Sequence, residues 1–102
     1  DIGHQFPVND DRYAGISSCE LLKKVKDLIA EKQFKVDYVD SVVILEDPKI
    51  SPFKDAMKEK IANSLVIDKD NVSIKATTQE GIGAIGRGEA VAAYSVVCIS
   101  NI

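Results

Sequence analysis

The apolar positions fall into five runs, and their spacing predicts the order helix, strand, helix, strand, strand. Behind Ser17, the residues Leu21, Leu22, Val25, Leu28 and Ile29 recur at helical intervals with lysines and acids opposite. That period places them on one face of a helix predicted over Ser18 to Lys32. Ser17 and Glu20 have the spacing of a capping box, in which hydroxyl and carboxylate satisfy N–H groups of the first turn. Lys35 to Leu45, rich in Val, Ile and Tyr, predicts a strand. Asp47-Pro48-Lys49 breaks it. Ser51-Pro52 then predicts a second helix, Ser as N-cap and Pro at the first helical position, with Phe53, Met57, Ile61 and Leu65 as its stripe. Asp68 to Asn71 reads as a turn, and Val72, Ile74 and Ala76 alternate with polar residues as a half-buried strand. Ala90 to Ile102 is apolar and rich in β-branched residues, which predicts a last strand, although its alanines also permit a helix. Asp1 to Gly15 carries turn formers and is expected to be irregular.

Two helices and three strands suggest an α+β fold: a two-layer sandwich with the helices on one face of a mixed sheet. The last strand strains that picture. It is apolar at Ala92, Tyr94, Val96 and Cys98 and also at Val91, Ala93, Val97 and Ile99. Two helices cover only one face, so the other face is expected to be covered by a neighbouring subunit.

Composition narrows the function classes. The length of 102 residues suits one domain, 1–102. A net charge of −3 leaves no basic footprint for nucleic acid and no polybasic patch for a membrane. No apolar run reaches the roughly 20 residues that span a bilayer. Cys19 and Cys98 read either as small buried hydrophobes in a reducing compartment or as a disulfide. His4 is the only histidine, so this chain cannot supply a His-rich tetrahedral zinc site. The chain starts at Asp1 and not at Met, which implies that residues upstream have been removed or left out.

Four of the six glycines (Gly81, Gly83, Gly86 and Gly88) lie between Lys75 and Glu89. Gly81 to Gly86 matches G-x-G-x-x-G after a predicted strand, but the chain ends too soon for the helix, second strand and acidic residue of a dinucleotide site. A P-loop fails as well, because no Gly-Lys-Ser/Thr follows. Each glycine costs about 0.5–1 kcal/mol relative to alanine, which calls for positive φ angles or a close backbone approach. Thr77, Thr78 and Glu80 precede the loop. Hydroxyls at a strand end suit phosphate oxygens and a carboxylate suits a divalent cation; ordinary turn chemistry at a polar strand terminus is the alternative.

The run "VSIKATTQEGIGAIGRGEAVAA" resembles the C-terminal signature of the 2-C-methyl-D-erythritol 2,4-cyclodiphosphate synthase family, whose Lys-Ala-Thr-Thr-x-Glu-x-x-Gly-x-x-Gly-Arg-Gly-Glu positions are all present from Lys75 to Glu89. "DIGHQFP" resembles that family's Asp-Ile-Gly-x-x-Phe-Pro segment, and "EDPKISP" its Pro-Lys-x-x-Pro segment. The resemblance covers essentially the whole chain. It implies an enzyme of the non-mevalonate isoprenoid pathway, a phosphorus–oxygen lyase that cyclises 4-diphosphocytidyl-2-C-methyl-D-erythritol 2-phosphate and releases CMP. By position, Thr78 looks like the catalytic threonine that steadies the phosphates, with Thr77 beside it, and Glu80 like the magnesium or manganese ligand on the diphosphate. Asp1, Ile2 and Gly3 look like the ribose contacts. The stretch Leu45 to Ser51, with Asp47, Pro48, Lys49 and Ile50 at its centre, looks like the cytosine pocket, and Phe6 and Asp10 like the wall around the methylerythritol phosphate.

The resemblance further implies a homotrimer, with these pieces meeting across a subunit boundary. Arg87 and Glu89 resemble a pair lining a channel on the three-fold axis that accepts an isoprenoid diphosphate; an intersubunit salt bridge is the other reading of Arg87. The setting implied is a bacterial cytoplasm or a plastid. Three positions depart from the pattern: His4 sits at a variable position, Val8 stands where aspartate is common, and Ala84 replaces a larger residue. The family's zinc ligands lie in an N-terminal third that this chain does not contain. The chain is therefore expected to be the C-terminal two-thirds of such an enzyme, inactive by itself. A non-catalytic trimeric domain binding a nucleotide or an isoprenoid diphosphate is the alternative.

Overall fold

The computed structural model describes residues 1–102. Its sheet has the order β2-β1-β3, built from β1 (Phe34–Ile44), β2 (Val72–Thr77) and β3 (Ala92–Asn101). Central β1 runs parallel to β2 and antiparallel to β3, so the sheet is mixed. Helices α2 (Ser18–Glu31) and α3 (Lys54–Leu65) lie on one face, α2 against β1 and α3 against β2. The expected α+β sandwich is the observed one.

The first long helix forms as its cap dictates. The Ser17 side chain accepts a hydrogen bond from the Glu20 N–H at 3.2 Å, satisfying a group that the helix itself leaves unpaired. The return half of the capping box is replaced: the Glu20 carboxylate pairs with Lys23 at 3.0 Å. The second helix departs from expectation at its start. Ser51–Phe53 is a 3₁₀ turn with Pro52 in its first positions, and Ile50 takes the cap position without a side-chain bond. Phe53 consequently points away from the core and is exposed, whereas Met57 and Ile61 pack against it and Leu65 is buried within it.

A β-bulge interrupts the β1–β3 register between Val36 and Tyr38. The extra residue, Asp37, shifts the alternation, so that Val36 and Val39, three apart, both face the helices and both are buried. They join Ala62, Leu65, Val72 and Ile74 in the core. That core is thin: only 8 of 102 residues are buried, and small cores leave small stability margins.

The N-terminal segment is more ordered than its turn formers suggest. A short helix α1 (Ile2–Gln5) is capped by Asp1, and a 3₁₀ turn over Asp11–Tyr13 is capped by Asp10. Phe6 and Tyr13 meet edge to face with centroids 5.1 Å apart, closing the segment on itself. The cysteines correct another expectation. Both are free; Cys19 is half-buried on α2 and Cys98 is exposed on β3.

Neither long helix packs substantially on β3. Its register with β1 puts Ala92, Tyr94, Val96 and Cys98 on the face away from the helices, beside Ile44, Val42, Asp40 and Tyr38. Tyr38, Tyr94 and Val96 are 58%, 65% and 76% exposed, so this face is an open apolar surface. Lys75 of β2 reaches across it to the Asp40 carboxylate and to Ser73, which neutralises the charge on that face.

Candidate functional site

The strand order explains the long glycine segment. β2 and β3 lie on opposite sides of β1, so their connection is no hairpin. It crosses the end of β1, about 10 Å at ordinary strand spacing, using residues 78–91. Within it a four-residue helix α4 (Gly83–Gly86) forms, which the strand and turn pattern did not predict. Gly86 has the plainest requirement for glycine: a Cβ there would lie 2.2 Å from the Gly81 carbonyl carbon, a distance no side chain tolerates. Gly83 and three other glycines have positive φ, as does Glu80 at 56°.

The carboxyl ends of the parallel strands β1 and β2 therefore lie together at one rim, where open α/β-type sheets tend to bind ligands. A cleft of about 220 Å³ opens there, lined by Leu45, Glu46, Pro48, Lys49, Ile50, Ser51, Lys54, Ala76, Thr77 and Thr78. Leu45 N–H donates to the Thr77 carbonyl at 3.0 Å, joining the two halves. Seven residues singled out from the sequence thus meet: Leu45, Pro48, Lys49, Ile50, Ser51, Thr77 and Thr78. Asp47, whose peptide bond to Pro48 is cis, is exposed and does not line the cleft. Glu46, Lys54 and Ala76 also line it without a role of their own in the sequence: Glu46 lies inside the Leu45–Ser51 stretch, Lys54 follows that stretch, and Ala76 belongs to the Lys75–Glu89 run.

The threonine hydroxyl is poised to donate. Thr78 Oγ1 accepts a bond from the Glu80 N–H at 3.2 Å, a local turn that leaves its own proton free. Thr77 Oγ1 makes a long 3.4 Å contact to the Thr78 carbonyl. Glu80 is exposed, and its carboxylate enters no hydrogen bond or ion pair within the chain. Arg87 is occupied: its guanidinium forks onto Glu89 at 3.0 and 3.2 Å.

The N-terminal candidates sit elsewhere. Asp1, Ile2 and Phe6 line a second, largely apolar cavity of about 660 Å³ with Val25, Leu28 and Phe34. Phe34 begins β1 and Leu45 follows its end. The 11 residues of β1, at about 3.3 Å each, separate the two cavities by roughly 35 Å. Gly3 and Asp10 belong to the same N-terminal segment. The Asp1 carboxylate is engaged by the Gly3 N–H at 2.9 Å. Asp10 is held by Arg12, whose side-chain hydrogen bonds and backbone N–H keep its carboxyl below the usual carboxylate range. One chain does not bring these residues to Thr78.

No group of three or more His, Cys, Asp or Glu side chains stands close enough to hold a metal ion. A zinc cage does not fit these residues. One free carboxylate does fit magnesium or manganese, which keep several waters and take one or two carboxylates with ligand phosphates. No helix is long and apolar enough to cross a membrane.

The fold and its rim define a class: an α+β domain with a small polar cleft at the carboxyl ends of two parallel strands. The chain belongs to the YgbB family, whose model matches residues 1–100. It is 48% identical over 101 residues to a protein of Thermosynechococcus vestitus named 2-C-methyl-D-erythritol 2,4-cyclodiphosphate synthase, covering 99% of this chain and 63% of that one. Among solved structures, the bifunctional IspDF of Campylobacter jejuni superposes with a TM-score of 0.94 at 37% identity, covering 100% of this chain and 28% of that one. A CDP complex of IspF from Plasmodium falciparum superposes with a TM-score of 0.84 at 31% identity, covering 99% and 60%. The chain thus spans less than two thirds of the length of these relatives.

Proposed function

We propose that the whole protein is a cyclodiphosphate synthase, and that this chain is its C-terminal two-thirds, a single incomplete domain without the zinc ligands. The observation that carries the reading is one cleft. It gathers Leu45, Pro48, Lys49, Ile50, Ser51, Thr77 and Thr78 in a chain 48% identical to an enzyme so named. A related structure that holds CDP supports a cytidine diphosphate as the ligand.

In this reading an oxygen of the 2-phosphate attacks the β-phosphorus of 4-diphosphocytidyl-2-C-methyl-D-erythritol 2-phosphate. The bond from that phosphorus to the bridging oxygen breaks, and CMP leaves with the oxygen and its electron pair. The residues act by placement and charge, without a covalent intermediate. Leu45, Pro48, Lys49, Ile50 and Ser51 seat the cytosine, while Asp47 shapes the lip from outside. The free proton of the Thr78 hydroxyl donates to a phosphate oxygen, with Thr77 beside it. Glu80 holds magnesium or manganese, which offsets the phosphate charge when bound.

In this reading a second copy supplies Asp1, Ile2, Gly3, Phe6 and Asp10 to this cleft, in keeping with the roughly 35 Å between the two cavities of one chain. The open face of β1 and β3 is the surface through which copies join, as a homotrimer. Arg87, already paired with Glu89, lies on the glycine segment where an isoprenoid diphosphate would meet a three-fold axis. A soluble enzyme of a bacterial cytoplasm or a plastid follows from the activity.

Calorimetry with CDP and magnesium tests the reading. Binding is expected for the full-length protein and loss of the magnesium-dependent part for Glu80→Ala. Full-length protein that takes up no CDP defeats the proposal. For residues 1–102 alone, added zinc is expected to yield no CMP, and turnover would refute that expectation.

A further inference from the structure

Glu46 lies inside the Leu45–Ser51 stretch without a role of its own there, and it makes the only side-chain bond between the two halves of the cleft. Its Oε1 accepts the Gln79 backbone N–H at 2.7 Å, across 33 positions of sequence. Gln79 stands between Thr78 and Glu80. The same three residues form a turn closed by the Glu80 N–H on Thr78 Oγ1, with Glu80 in left-handed backbone geometry. The Gln79 carbonyl accepts the Ile82 N–H at 3.0 Å, so the segment beyond is folded on itself, and Glu46 is the side chain that ties it to the opposite wall of the cleft.

We infer that Glu46 is a positioning residue: by gripping the Gln79 amide it sets the Thr78 hydroxyl and the Glu80 carboxylate against the nucleotide held by Leu45–Ser51. The inference rests on the proposed synthase activity. Because Glu46 is half-buried in the cleft wall and accepts through one oxygen, the property that matters is an acceptor of this length. Glutamine retains it and alanine does not.

The test uses full-length protein carrying Glu46→Gln or Glu46→Ala, with magnesium, CDP and the diphosphocytidyl substrate. Loss of a hydrogen bond to a carboxylate predicts kcat lower by roughly 10- to 100-fold in Glu46→Ala. CDP affinity measured without magnesium should stay within about threefold, since the base pocket is intact, while the magnesium-dependent part of binding weakens with the displaced Glu80. Glu46→Gln is expected to restore most of kcat. Hydrogen exchange at the Gln79 amide should quicken in the alanine variant and stay slow in the glutamine variant. Unchanged kcat in Glu46→Ala overturns the inference, as does a glutamine variant as impaired as the alanine one. If wild-type protein releases no CMP, the synthase reading fails, and the Gln79 exchange rates still decide whether Glu46 holds the loop.

Discussion

Gly86→Ala tests how tightly the glycine segment is folded against itself. The added Cβ would stand 2.2 Å from the Gly81 carbonyl carbon, 2.7 Å from its oxygen and 2.9 Å from its Cα. All three atoms are backbone, so no side chain can swing aside. Reaching even the 3.4 Å of ordinary contact requires the two peptide planes to part by more than 1 Å. Overpacking of this kind costs about 1–3 kcal/mol. For a domain of this size that corresponds to a fall in Tm of roughly 4–8 °C per kcal/mol. Gly81 directly follows Glu80, so the displacement reaches the proposed cation ligand. A misplacement of about 1 Å can cost on the order of 100-fold in rate. The assay is CMP release by the full-length protein, with thermal melting in parallel. Gly15→Ala is the control: unlike Gly86 it has positive φ, but it has open space around it, and within one chain it lies far from Thr78 in sequence and fold. It should lower Tm modestly and leave kcat unchanged. A Gly86→Ala protein with wild-type Tm and wild-type turnover would refute the close approach.

Three further outcomes follow from the same geometry. Val96→Asp places a carboxylate on the open face, where Val96 is 76% exposed; sedimentation should show dissociation of the proposed homotrimer, and an unchanged oligomer would move the contact surface elsewhere. Ser17→Ala removes the cap of α2 and should cost about 1 kcal/mol in denaturant unfolding, while an unaltered midpoint would mean the 3.2 Å bond contributes nothing. The Asp10 carboxyl, lowered chiefly by the Arg12 side-chain hydrogen bonds, adds stability at pH above the ordinary carboxylate range and loses it as pH falls through its own lower value. The gap in stability between wild type and Asp10→Asn should therefore shrink on acidification, and a gap that widens would contradict the sign.

Much of the architecture was legible because local chemistry and tertiary packing agree. The apolar period of Leu21 to Ile29, the hydroxyl of Ser17 and the branched residues of β1 each favour the element that forms, and the alternation of Val72, Ile74 and Ala76 leads Thr77 and Thr78 to a strand end. Elements without that agreement were missed. α1 and α4 are single turns, held by the Asp1 cap and by glycine contacts rather than by an apolar stripe. Ser51 has the chemistry of a cap but lies inside a 3₁₀ turn, because the chain leaving β1 must bend before α3 can settle on β2.

The sequence by itself determined the two long helices and the three strands, the two-faced apolar character of the last strand, and the residue types able to handle phosphate. Only the tertiary structure decided that β3 pairs on the far side of β1, so that the glycine segment bridges a strand end instead of turning a hairpin. It alone separated Asp1 and Phe6 from Thr78 by the length of a strand, and brought Glu46 onto the Gln79 amide. The physical reason is common to all three. Spacing along the chain reports which face a side chain takes, whereas strand order and register, set by burying Val36, Val39, Val72 and Ile74 together, report which distant residues share an end.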